Sequence, residues 1–440
     1  MRFFGTQLVR LILLVLVVCA GGAQAQEIRR ALPVDPPVAE TPAPTVPPEV
    51  AVTPPIPAPP PTVAGITAGV NDTAYFLAGL QVSEGSPLVP LTQDPVWQRH
   101  AAFFDQAWTK LDARQLAGIS NWEANYLPDA TQPIPTVFYM FSGPDFLYAH
   151  QFFPNARTYI LAGTEPIGPL PDVLRFAGPA LDPVLQNLEK SLNSVLSFSF
   201  FITKDMKTDL QREELKGTLP IFYVFLARAG KTITDITFMT LDKEGQPHIT
   251  LPNENAKGLT LGVRITFAGG PGASPQTLYY FTTDLSDDGI RSHPGFMKFC
   301  AGQGPGYSLL KSASYLMFEN GFDAVRSFLL NHSNVILQDD SGIPVGAFDP
   351  AQWSLRFFGA YIGPIDIFKQ HFQPQLQATY QQLHPGPIEF GIGYRWSSRQ
   401  STLIVARRKG TEVSPLRIEP LPAPSTPPPT PTATPRLPRL

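Results

Sequence analysis

Proline decides where this chain can build a core. The 49 prolines of the 440 residues are concentrated at the two ends. From Leu32 to about Pro61 they crowd together without apolar periodicity, which holds the backbone near polyproline II. At ~3.1 Å per residue, thirty such residues form a stiff spacer of roughly 90 Å. The tail from Leu421 to Leu440 repeats the habit with Pro-Pro-Pro-Thr-Pro-Thr. The expected organisation is therefore a disordered linker over 26–65, a globular region over 66–410 and a disordered tail over 411–440. Either proline-rich end has the chemistry to dock on an aromatic groove of a partner. The globular region is long enough for one large domain or two intimate lobes, with a possible boundary near 215–230.

Residues 1–25 set the expected compartment. Arg2 and Arg10 flank a Leu/Val run that ends near Cys19, and Ala23-Gln24-Ala25 follows as a small-residue cleavage site. This is the pattern of an export signal. The apolar run falls short of the ~20 residues of a spanning helix, so a retained anchor is the lesser reading, and no membrane span is expected after removal. Val18 before Cys19 is larger than a lipidation signal needs. A periplasmic or secreted protein would be cut off from cytosolic ATP, NAD and S-adenosylmethionine. Cleavage would leave Cys300 alone, without an intrachain disulfide. Stability must then come from the core, and a charged fraction of 16% beside 43% hydrophobic residues allows a large one. The net charge of -3 gives no reason to expect nucleic acid or an anionic membrane as partner. Arg407-Arg408-Lys409 reads as the solvated end of a strand.

Between the proline tracts, helical periodicity first appears after Asp94-Pro95, where Trp97, His100, Phe104, Ala107, Trp108 and Leu111 share a face. His100 is thus expected in the core. A second helix is expected to start at Asp182-Pro183 and to align Val184, Leu185, Leu188, Leu192, Val195 and Leu196. Strands are expected at Thr136–Phe141, Arg157–Ala162, Thr232–Thr240, Leu259–Phe267, Thr277–Thr283 and Val335–Gln338, all rich in Val, Ile, Tyr, Phe and Thr. A C-terminal hairpin is expected to pair Ile388–Tyr394 with Leu403-Ile404-Val405 across a turn at Trp396–Gln400. Together these give an α/β fold: a mixed, mostly parallel, Rossmann-like sheet with helices on both faces and a C-terminal β-hairpin.

Two polar clusters fall at strand ends. Phe141-Ser142-Gly143-Pro144-Asp145 follows one strand and leads into a short helix, and Gly163-Thr164-Glu165-Pro166 closes the next. Over about residues 135–166 this order resembles the opening unit of Rossmann-like folds, including class I methyltransferases. The resemblance implies a nucleoside held by turn amides and by an acid after the second strand. The chain departs from it in having Pro144 and a single glycine, Gly143, in the turn. Ser142, Gly143, Asp145 and Glu165 are therefore candidate ligand residues; as plain structure, Ser142 or Asp145 would cap the helix. The second cluster is Gln338-Asp339-Asp340-Ser341-Gly342-Ile343-Pro344. Asp339 and Asp340 with Ser341 have the chemistry for acid–base work, although adjacent acids in a strand point to opposite faces. Phe-Ser-Gly-Pro-Asp, Glu-Pro-Ile-Gly and Asp-Asp-Ser-Gly-Ile-Pro together resemble a group of exported bacterial proteins of unknown function, a resemblance that implies no activity.

The rest argues by exclusion. Gly302-Gln303-Gly304-Pro305-Gly306 lacks a P-loop ending and a dinucleotide spacing, and precedes an expected helix, Tyr307–Phe318, carrying Lys311. There is no Gly-x-Ser-x-Gly elbow, His-Glu-x-x-His or Cys-x-x-Cys, and no metal site is expected. His293, His371 and His384 read as loop or boundary residues, and Asp284, Asp287 and Asp288 with Gly289 as a solvated turn. The leading expectation is a noncatalytic binding or structural protein, with its ligand, cofactor and partner unidentified. The alternatives are a carboxylate hydrolase and a degenerate methyltransferase-like protein.

Overall fold

A computed structural model describes residues 64–127, 134–176, 178–201, 215–252, 258–270 and 272–410. The expected export signal, the proline-rich linker up to residue 63 and the proline-rich tail lie outside them. The described chain is α/β, built on one ten-stranded mixed sheet of order β4-β3-β5-β6-β2-β1-β7-β8-β10-β9. The strands are β1 (Ile134–Tyr139), β2 (Ala156–Gly163), β3 (Thr232–Leu241), β4 (Pro247–Ile249), β5 (Thr260–Ala268), β6 (Gln276–Thr282), β7 (Gly306–Leu310), β8 (Ser333–Gln338), β9 (Trp353–Gly359) and β10 (Thr402–Arg408).

The five central strands, β6-β2-β1-β7-β8, are parallel neighbours. Every ladder outside them is antiparallel. The expectation of a mostly parallel sheet thus holds at the centre and fails on both flanks. The insertion β3–β5 returns by hairpin-type connections, and β10 inserts between β8 and β9.

Alternation along the central strands divides the core in two. Val137, Tyr139, Tyr159 and Leu161 face one apolar cluster, whereas Phe138, Met140, Ile160 and Ala162 face another. The first is covered by α1 (Ala64–Leu77), α2 (Pro95–Leu111), α3 (Ala117–Tyr126), α4 (Phe146–Phe152), α5 (Leu181–Phe198) and α6 (Leu219–Arg228); the second by α7 (Gly295–Gly302) and α8 (Asp323–His332). Helix α6 is buried from Leu219 through Ala227, as its nearly unbroken apolar sequence requires. Among the described residues, no helix is long and apolar enough to cross a membrane.

Local signals place several elements as expected. Asp94 accepts the Val96 N–H at 2.8 Å and Pro95 opens α2, whose Trp97, His100, Phe104 and Leu111 are buried. The six expected strands lie within about two residues of the observed ones.

Three expectations are corrected. Tyr307–Phe318 is not an α-helix: Tyr307–Leu310 belong to β7, a strand buried at every position, and only Leu316–Phe318 form a 3₁₀ turn. A Cβ on Gly306 would lie 2.5 Å from the Thr136 carbonyl, so only glycine lets β7 come this close to β1. The C-terminal hairpin does not form either. Segment 388–401 is irregular, with one bridge, Ile392 to Arg395, and β10 pairs with β9 and β8 instead. Gly391 is required there, since its Cβ would collide with the Trp396 carbonyl. Finally, α5 is preceded by Ala180, so Asp182 sits inside the first turn rather than capping it. There it pairs with Arg99 at 3.0 Å.

Candidate functional site

The sheet reverses direction of growth at its centre: from β1 the chain moves to β2 on one side, and it later returns to lay β7 on the other. Open α/β sheets keep their ligand crevices at such a point, outside the carboxyl ends of the strands. The loops that meet here are 140–145 after β1 and 311–315 after β7, joined by 339–341 after β8.

Asp145 caps α4, accepting the Tyr148 N–H through Oδ1 at 3.3 Å. The capping role expected for it is therefore real, yet it is only part of the arrangement. Its Oδ2 accepts the Tyr139 hydroxyl at 2.8 Å and faces Lys311 Nζ at 2.9 Å. The side chains of this ion pair are 3% and 1% exposed. Lys311 Nζ also donates to the Ser199 carbonyl and lies 4.2 Å from the centre of the Tyr148 ring. Burial and the Asp145 charge hold the Tyr139 hydroxyl far above its ordinary value, so it remains a donor.

Asp339 and Asp340 lie just past the end of β8, where strand alternation no longer separates them, and both grip the loop after β7. Asp339 accepts the Ser312 N–H through Oδ2 at 2.8 Å and the Ser341 N–H and hydroxyl through Oδ1 at 2.9 and 2.5 Å. Asp340 accepts the Tyr315 hydroxyl at 2.6 Å, and Ser341 Oγ accepts the Ala313 N–H at 2.8 Å. Tyr394 completes the clamp, donating to the Ser312 carbonyl at 2.9 Å. Burial raises both carboxyls. Hydrogen bonds from Ser341 and Ser312 oppose the rise at Asp339, whereas the Asp339 charge adds to it at Asp340, which is pushed up to about 7.

The backbone here is strained. Phe141, Ser199, Ser312, Ser314 and Tyr315 have φ between 53° and 68°, a region that side-chain-bearing residues seldom enter. Of the other described residues, only His384 is a non-glycine with positive φ. Left-handed conformations persist only where the surroundings over-determine them, and the clamp does so at Ser312, Ser314 and Tyr315, while Ser199 ends α5 as its C-cap.

The other candidates stand apart from the ion pair. Glu165 is 3% exposed; its carbonyl accepts the Tyr280 and Thr282 hydroxyls at 2.9 and 2.8 Å. A Cβ on Gly163 would meet Glu165 Oε2 at 2.3 Å and Gly143 Cα at 2.8 Å, so the turn after β1 and the end of β2 are in contact. Ser142 is buried and donates to the Gly143 carbonyl at 2.9 Å. Lys311 was expected on a helix and Tyr394 in a hairpin, and neither of them, nor Tyr139 or Tyr315, was among the candidate site residues. The signal for Lys311 was available: a lone charge ending the short apolar run Tyr307–Leu310 after a glycine turn marks a strand end, as Asp339 does after β8.

Among the described residues, no group of three or more His, Cys, Asp or Glu side chains is placed to hold a metal ion. The cluster thus combines an acid–amine pair, two buried acids with raised proton affinity and tyrosine donors, all nearly sealed from water. No protein-family model, curated protein or solved structure matches the chain.

Proposed function

We propose that this is an exported, noncatalytic binding or structural protein, in which a Rossmann-like core serves as a rigid scaffold on proline-rich arms. One observation carries the reading. At the strand ends, where a Rossmann-like enzyme would receive its ligand, Asp145 and Asp339 direct both their oxygens to protein donors, and they are 2% and 1% exposed. The turn amides that would meet a nucleoside, those of Ser142 and Gly143, donate instead to the Ala162 carbonyl at 3.1 and 3.3 Å. A degenerate methyltransferase-like origin fits the same facts. With the inserted β3–β5 set aside, β6-β2-β1-β7-β8-β10-β9 follows the chain order 3-2-1-4-5-7-6 with the last strand antiparallel, the order of the class I methyltransferase sheet.

The test is native mass spectrometry of the purified protein against its denatured mass, with calorimetric titration of S-adenosylmethionine. The expected result is an empty strand-end crevice and no binding heat. A retained nucleoside, or saturable binding abolished by Glu165→Ala, would overturn the reading. The carboxylate hydrolase remains the second reading because Asp340, with a proton affinity near neutrality beside Asp339, has the chemistry of a general acid. It predicts hydrolysis of an ester, glycoside or phosphoester that Asp340→Asn removes without loss of fold.

A further inference from the structure

We infer that Lys311 and Asp145 are a site of covalent self-modification, in which the Lys311 amine and the Asp145 carboxyl join as a side-chain amide between the loops after β7 and β1. The inference does not rest on what the protein binds. It starts from geometry: Nζ lies 2.9 Å from Oδ2, and the two side chains are 1% and 3% exposed. Water is excluded from both faces of the pair. Reacting groups held in this way reach effective concentrations on the order of 10⁵ M or more.

The two carboxylate oxygens are also differentiated. Oδ1 takes the backbone N–H of Tyr148, a donor suited to an oxygen that gains negative charge on attack. Oδ2 takes the Tyr139 hydroxyl, a donor suited to an oxygen that departs. The Tyr148 ring covers Nζ at 4.2 Å. A third carboxyl, Asp339, is near enough for its charge to act on both Tyr139 and Lys311.

The step balances without a co-reactant. Proton transfer from the Lys311 amine to Asp145 Oδ2, 2.9 Å away, gives the neutral amine and carboxyl that react. The nitrogen lone pair forms a bond to Cγ. Asp339 carries the displaced nitrogen proton to Oδ2, the Cγ–Oδ2 bond breaks, and one water leaves. The product is an amide, with no oxidation or reduction.

The experiment is tryptic mass spectrometry of the full-length protein after complete unfolding. Lysine 311 in an amide resists trypsin, so segment 115–157 should appear joined to segment 299–326, lighter than their sum by one water. Recovery of 115–157 and 299–311 as separate peptides, with no joined species, would overturn the inference. Asp339→Asn tests the proton carrier: it should leave a larger unlinked fraction while the circular dichroism of the folded state is retained. Linkage as complete and as fast as in the parent would remove Asp339 from the mechanism. Lys311→Arg keeps the charge and should yield only separate peptides; a joined species in this variant would show that another amine is involved and overturn the assignment.

Discussion

Two Asp–cation pairs of nearly equal length, one on the sheet and one at its strand ends, mean different things. Asp235 on β3 and Arg264 on β5 meet at 3.1 Å, with side chains 33% and 27% exposed. Asp145 and Lys311 meet at 2.9 Å with almost no exposure. The outer pair is screened by solvent, and either partner, left alone, is rehydrated. The inner pair has no such recourse: each charge is tolerable there only because the other is present. Distance alone does not separate these cases, whereas burial does. The inner pair also lies among left-handed residues and raised carboxyls, while the outer one bridges two paired strands beside a register shift between Ile233 and Asp235.

The largest expected effect is that of Asp145→Ala, which strands the Lys311 ammonium in the core. It should lower unfolding free energy by about 3–5 kcal/mol in denaturant titration. The double replacement Asp145→Asn with Lys311→Met should recover part of that loss. If the single variant loses less than about 1 kcal/mol, the contrast between inner and outer pairs is wrong.

Gly393→Ala comes next. Gly393 has φ of +70° and a Cβ there would lie 2.0 Å from Asp339 Oδ2, so backbone strain and displacement of the clamp should together cost on the order of 2 kcal/mol. Thermal unfolding would register it, and an unchanged melting temperature would mean that Asp339 can move without releasing the loop after β7.

The pH profile sharpens the comparison further. Asp340 has a native pKa raised from 3.8 to about 7, so the folded protein holds this proton more tightly than the unfolded chain does. Its contribution to stability is complete below about 4 and is lost as pH rises through about 7. Melting temperatures at pH 5 and 8 should differ in favour of pH 5, and Asp340→Asn should flatten that part of the curve. The smallest effect belongs to Asp235→Ala, expected within about 1 kcal/mol and reduced further by salt.

The sequence made the apolar framework legible. Periods of two and 3.6 identified six strands and the faces of α2 and α5, because core burial imposes those periods directly. It was less informative where tertiary contact overrides local preference. Tyr307–Leu310 carries no β-branched residue and resembles a helix start, yet the slot between β1 and β8 makes it a strand. The alternation of Ile388, Phe390, Ile392 and Tyr394 suggested a hairpin, but Ile388, Phe390 and Ile392 instead anchor an irregular segment in the core. The candidate acids were visible as residues at strand ends. Their partners were not, because Lys311 and Tyr394 become neighbours of Asp145 and Asp339 only through the order of strands in the sheet, which no local pattern encodes.

That order has a consequence for how the molecule assembles. The middle of the sheet is made where β1, ending at Tyr139, meets β7, beginning at Gly306. Pairings between segments so distant in the chain require closure of a long loop before they return any energy, and they slow folding accordingly. The half-sheet β1, β2, β6, β5 and β3 can form from residues up to Thr282 alone. An emerging chain would therefore hold an open parallel edge on β1 until β7 arrives, and any factor that shields this edge during synthesis would raise the yield of native protein.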